Sequence, residues 1–163
     1  MKKNNRGAGY LTAAGLTAAL YVVLTMISTL AGLSSGAVQL RLSEALCVLP
    51  CFTPAAVPGL FVGCLISNLL SGCVIWDVIF GSIATLIGAL GTYFFRKRPV
   101  PAIASPIIAN AAIIPLVLTF AYGADKGYLF VLLTVTAGEV ISCGLLGTVV
   151  YRALYRTTKT NKH

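Results

Sequence analysis

The chain has 163 residues, 58% of them hydrophobic and 10% charged, against about 45–50% and about 25% in soluble domains. A soluble core of this size cannot hide so much apolar surface, so lipid is the expected solvent and residues 1–163 are read as one transmembrane domain. The net charge of +8 does not point to nucleic acid, because ten of the twelve Lys and Arg residues form three clusters, each bordering a long apolar run.

Six apolar segments follow in chain order. The first, from about Ala8 to Ala31, is too long for a signal-peptide core and is expected to stay as a membrane helix. The second is short, about Arg41 to Phe52, and ends in a turn punctuated by Pro50, Pro54 and Pro58. The third runs from about Ala55 to Leu70 and closes at Ser71-Gly72. The fourth covers about Asp77 to Phe95, the fifth about Ala102 to Tyr122, and the sixth about Tyr128 to Tyr155. A span needs about 20 apolar residues, fewer where it packs inside protein. The second and third segments can therefore be two short spans or one re-entrant hairpin.

An even number of crossings with both termini in the cytoplasm places all three basic clusters on one side. These are Lys2, Lys3 and Arg6; Arg96, Lys97 and Arg98; and Arg152, Arg156, Lys159 and Lys162. Only Arg41, and Lys126 beside Asp125, remain outside. Small residues mark expected helix contacts: Ala14 and Ala18, with Tyr21 and Thr25 extending the face; Gly59, Gly63 and Ser67; Gly81, Thr85 and Gly88.

The chain has four acidic residues, and Glu44, Asp77 and Glu139 lie in or at the edge of apolar segments. A carboxylate in hydrocarbon costs at least ~2.5–3.5 kcal/mol, so it faces a cavity, a partner or a solute. Arg41 and Glu44 are three apart and on a helix can pair, anchoring a helix end or serving a site. Asp77 suits a helix N-terminus, and it also heads the small-residue face toward Gly81. Asn68 is placed for an interhelical hydrogen bond. Asn110 and Glu139 lie about 18 Å from a helix end, near the bilayer middle. With no basic residue within a turn, Glu139 is protonated, paired with a distant group such as Arg41, or held for a ligand with donors.

Catalysis is not expected. The one histidine is His163, so no Ser/His/Asp or Cys/His set can form, and there is no Walker lysine motif. Cys47, Cys51, Cys64, Cys73 and Cys143 read as free, mostly buried thiols, with neither metal nor cofactor implied.

Several stretches together resemble the queuosine-precursor transporter (QueT-type) family of S components of energy-coupling factor (ECF) transporters. They are Gln39-Leu40-Arg41-Leu42-Ser43-Glu44-Ala45-Leu46, Pro58-Gly59-Leu60-Phe61-Val62-Gly63-Cys64, Ser67-Asn68-Leu69-Leu70, Asp77-Val78-Ile79-Phe80-Gly81-Ser82-Ile83-Ala84-Thr85-Leu86 and Gly138-Glu139. The likeness runs from about Leu11 to Tyr151. It implies an all-α bundle of six transmembrane helices in a prokaryotic plasma membrane, binding a 7-deazaguanine precursor of queuosine. It also implies docking on a coupling protein that works with two ATPases, through an A-x-x-x-A pattern that Ala14 to Ala18 matches.

A guanine-like base offers two parallel donors that one carboxylate can accept, and Glu139 is the candidate. An aminomethyl arm would seek Glu44 or Asp77. Asn68, Asn110 and Gln39 would serve the remaining edge, and Trp76, Phe80 or Tyr128 an aromatic face. With Arg41 these form the expected solute site. Three rivals remain: an S component for a flavin or pterin, a ligand-free structural or chaperone-like subunit, and a proton-coupled carrier using Glu139.

Overall fold

The computed structural model describes residues 2–33, 38–120 and 127–160, with side chains from Gly7 onward. All regular structure among them is helical. It comprises α1 (Lys2–Leu30), a 3₁₀ helix (Leu42–Cys51), α2 (Ala56–Leu70), α3 (Ile75–Phe94), α4 (Pro99–Phe120), α5 (Tyr128–Glu139), a π segment (Val140–Leu146) and α6 (Gly147–Thr160). The last three are continuous, so Tyr128–Thr160 is one 33-residue rod. Each expected apolar segment appears as helix. Four of these helices are long and apolar enough to cross a membrane: Gly7–Leu30 within α1, α3, α4 and the Tyr128–Thr160 rod. The 3₁₀ helix and α2 are shorter. Lys126, Asp125 and the end of the fifth expected span, Tyr122, lie outside the described residues.

The second segment departs from the expected α geometry. Its ten residues wind as a 3₁₀ helix and carry Pro50. At about 2.0 Å per residue they reach roughly 20 Å, where an α-helix of the same length reaches about 15 Å. Ser43 through Val48 and Pro50 are buried. This segment is thus an internal strut that other helices surround, the setting in which a short element is tolerated at membrane depth.

Missing side chains set the helix contacts. A Cβ on Gly59 would stand 2.6 Å from the Ala14 carbonyl oxygen, and one on Gly63 2.8 Å from Tyr21 Cβ and 3.0 Å from the Ala18 carbonyl oxygen. At Gly88 it would lie 2.7 Å from Pro106 Cα. These glycines let α1 meet α2 and α3 meet α4 backbone to backbone, where dispersion drives association in lipid. Pro106 lacks an N–H, which frees the carbonyl of Ala102 four residues earlier. Thr92 Oγ1 of α3 donates to that carbonyl at 2.9 Å.

Tyr21, Leu46, Cys47, Leu60, Cys64, Ala89 and Cys143 form the core around the strut. Leu16, Val23, Leu69, Ile87, Leu90, Ile108, Phe120, Leu133 and Val149 point outward. An apolar exterior around a partly polar interior is what a lipid solvent selects.

Candidate functional site

Residues 38–41 lead from α1 into the strut and pass over the start of the π segment. Arg41 takes an extended conformation (φ −113°, ψ 109°). Its backbone N–H donates to Ser142 Oγ at 3.2 Å, the Leu42 N–H to Ser28 Oγ at 2.9 Å, and the Leu40 N–H to the Leu33 carbonyl at 3.0 Å. Gly138 permits this course, because a Cβ there would collide with the Gln39 carbonyl oxygen. The π segment begins directly after Glu139. Such bulges recur at functional sites because one added residue re-aims the side chains of a helix.

Beneath this stretch lies a cavity of about 80 Å³. It is lined by Gln39 and Arg41; Glu44 of the strut; Asn68 of α2; Asp77, Gly81 and Thr85 of α3; Asn110, Ile114 and Leu118 of α4; Val135 and Glu139 of α5; and Ser142. All seven polar residues singled out in the sequence thus meet around one space, from segments far apart in the chain.

Glu44 and Arg41 do not form the helical pair expected of them. Arg41 precedes the strut, and the hydrogen bonds of the two go elsewhere. Glu44 Oε1 accepts from Tyr21 Oη at 2.5 Å, and Oε2 from Cys47 Sγ at 3.0 Å. Arg41 Nη1 donates to Asn68 Oδ1 at 3.4 Å, and Asn68 Nδ2 reaches the Asp77 carbonyl at 3.3 Å. Asn68 therefore ties α2, α3 and the Arg41 stretch together, the interhelical role expected of it. Asp77 stands in the first turn of α3, two residues inside its start, where a negative charge suits the helix dipole.

Glu139 is the exception among these satisfied groups. The Asn110 side chain hydrogen-bonds its carboxyl, yet Oε2 is shielded from solvent and has no hydrogen-bond partner among the described residues. An orphaned carboxylate oxygen costs about 1–3 kcal/mol or more, so it calls for a ligand donor or a proton.

The expected aromatic face does not form here. Trp76 and Phe80 stack on each other at 6.0 Å on the outward side of α3, away from the Asp77–Gly81–Thr85 face, and Tyr128 is also exposed. The apolar cavity wall is aliphatic, from Ile114, Leu118 and Val135. Sequence reading missed Ser142, whose only signal was one hydroxyl in an apolar run, and Tyr21, which read as part of a packing face.

Ala14 and Ala18, expected at a coupling surface, sit at the α1–α2 contact. Ala18 is buried, and the backbones of both lie against Gly63 and Gly59. Docking through these two would require α2 to part from α1. The outward strip of α1 contains Gly15, Leu16, Ala19, Leu20 and Val23 instead. Among the described residues no group of three or more His, Cys, Asp or Glu is gathered closely enough to hold a metal ion.

The cavity mixes polar and aliphatic walls, and relatives give it a context. A family model described as QueT transporter matches residues 11–156. The chain belongs to the QueT transporter family. A curated relative, the queuosine precursor transporter QueT of Lactococcus lactis subsp. cremoris (strain MG1363), is 38% identical over 83 residues. That alignment covers 50% of this chain and 48% of the relative, so it spans about half of each. No solved structure matches. Membership in a transporter family, with several apolar helices, makes the chain a multi-pass membrane protein. At about 80 Å³ the cavity is small beside the ~300–1,000 Å³ of ordinary ligand pockets.

Proposed function

We propose that this QueT-family chain is the solute-binding membrane subunit of an importer for a queuosine precursor, a 7-deazaguanine. The observation that carries this reading is the shielded, unpartnered Oε2 of Glu139 in a cavity lined by Gln39, Arg41, Glu44, Asn68, Asp77 and Asn110. A guanine-like edge presents a ring N–H and an exocyclic amine side by side, and one carboxylate accepts both. Asn110 holds the rim of that carboxylate. Asn68 and Gln39 offer amides to the opposite edge, while Asp77 and Glu44 supply negative charge for an aminomethyl arm. The Lactococcus relative, named for queuosine-precursor transport, supports the same solute class.

In this proposal the chain is an S component and not an enzyme. It crosses a prokaryotic plasma membrane with both termini cytoplasmic, as the basic clusters favour. Transport is driven by ATP hydrolysis in two partner ATPases acting through a transmembrane coupling protein. Thermodynamically, the binding subunit has only to hold its solute tightly without a gradient.

The test is calorimetric titration of the purified full-length protein with the free deazaguanine base, its aminomethyl form and its cyano form, beside a flavin and a pterin. Tight binding of a deazaguanine with no ion gradient is expected. Binding only of the flavin or pterin, or solute uptake that requires a proton gradient and no ATPase, would refute the assignment.

A further inference from the structure

A second cleft lies at the other end of the bundle. Roughly 26 Å of helix rise separates Asp77, at the solute cavity, from Phe94 at the far end of α3. Just beyond Phe94, Arg96 joins Cys51 and Phe52 at the foot of the strut and Tyr151, Tyr155 and Lys159 of α6 around a cleft of about 310 Å³. Its chemistry is the reverse of the first cavity. Among the described residues, two cations line it and no carboxylate does. Of the four acidic residues in the chain, Glu44, Asp77 and Glu139 line the solute cavity, and Asp125 lies outside the described residues.

Among the described residues, no acidic side chain lines the cleft to neutralise the cations around this end. Arg96, Lys97, Arg98, Arg152, Arg156 and Lys159 are all exposed. Arg96 rests 4.3 Å above the Tyr93 ring, which fixes its guanidinium without neutralising it. The cleft wall is aromatic. Phe52 and Tyr151 meet at 5.3 Å, and Tyr151 stacks on Tyr155 at 6.0 Å. Aromatic rings that are apolar on one side and hydroxylated on the other settle at headgroup depth in a bilayer.

We propose that this cleft binds the phosphate headgroup of an anionic membrane lipid. Arg96 and Lys159 bracket the phosphate, and the Phe52–Tyr151–Tyr155 wall flanks the glycerol and the upper acyl chains. A soluble phosphate shares the charge chemistry but gains nothing from the aromatic wall, which is why a lipid is the assigned ligand. The site is independent of the solute cavity and stands whether or not the solute assignment does.

The test uses the full-length protein in phosphatidylcholine nanodiscs containing a minor fraction of phosphatidylglycerol, with retained lipid counted by native mass spectrometry. One phosphatidylglycerol should be retained per protein. The double variant Arg96→Gln/Lys159→Gln should weaken it roughly 30-fold, since each cation near an anionic lipid contributes about fivefold. The charge-matched variant Lys97→Gln/Arg98→Gln removes the same charge from the same end but leaves the cleft lining intact, so it should weaken retention clearly less than the cleft variant does. Both variants are melted in pure phosphatidylcholine, and if the cleft variant misfolds, Lys159→Gln alone should still weaken retention several-fold. The site is overturned if the wild type retains no phosphatidylglycerol, if phosphatidylcholine is held as tightly, or if both double variants lose it equally. Displacement of the lipid by millimolar inorganic phosphate would overturn the lipid assignment in favour of a soluble anion.

Discussion

Glu139 and Glu44 are both carboxylates in one cavity, yet their surroundings assign them different work. Glu44 is buried with Tyr21 Oη on one oxygen and Cys47 Sγ on the other, so its acceptors are already engaged. Tyr21→Phe should lower the melting temperature, because it strands a buried oxygen at a cost of about 1–3 kcal/mol, with solute affinity changed much less. Glu139→Gln should do the opposite. The amide turns an acceptor toward a ligand donor, which leaves both unsatisfied and weakens deazaguanine binding by at least several-fold and by about a hundredfold at the upper end. Melting and calorimetric titration on the same preparations separate the two. Unchanged affinity in Glu139→Gln would remove Glu139 from the site. That these carboxylates face a cavity was legible in the sequence, since an acid in an apolar run has to face a cavity, a partner or a solute. The partners were not. Tyr21 and Glu44 are 23 residues apart, and the Arg41–Glu44 pairing assumed an α-helix beginning at Arg41, where the chain is extended.

At the scale of elements, the apolar runs and their Gly and Pro punctuation were readable, whereas the type of helix was not. Hydrophobic periodicity does not distinguish a ten-residue, mostly buried 3₁₀ segment from α, and a π segment leaves almost no trace in composition. Packing chemistry fills that gap. Thr92 donates to the carbonyl that Pro106 cannot engage, so Thr92→Val, close in shape, should destabilise the α3–α4 pair by about 1–3 kcal/mol. A melting temperature equal to wild type would show that water takes over that carbonyl. Gly138→Ala should act on the site instead. The added methyl must push the Gln39 carbonyl away, shifting Arg41 off Asn68 and loosening its bond to Ser142. Solute affinity should fall by more than the melting temperature suggests. A Gly138→Ala variant that binds as tightly as wild type would mean that the 38–41 stretch lies outside the site.

For the whole molecule, the proposed S-component role asks α1 to present one surface to a coupling protein. Small-residue spacing in the sequence pointed to Ala14 and Ala18, and spacing alone cannot say which way a helical face turns. The fold turns these two toward Gly59 and Gly63 of α2, leaving Gly15 and Ala19 on the strip that faces out. A leucine at position 18 must therefore open the α1–α2 contact. Overpacking of this kind costs about 1–3 kcal/mol, so Ala18→Leu should lower both the melting temperature and solute binding. Leucine at position 19 meets no neighbour within the bundle and should leave melting and affinity intact. If the coupling protein approaches the outward strip, Ala19→Leu should nonetheless abolish uptake in cells and loss of the complex should be visible on co-purification, because a bulky side chain blocks close backbone approach. The reverse pattern, with Ala18→Leu folding and binding normally but failing to couple while Ala19→Leu transports, would mean that α2 swings away from α1 to expose Ala14 and Ala18 when the partner docks.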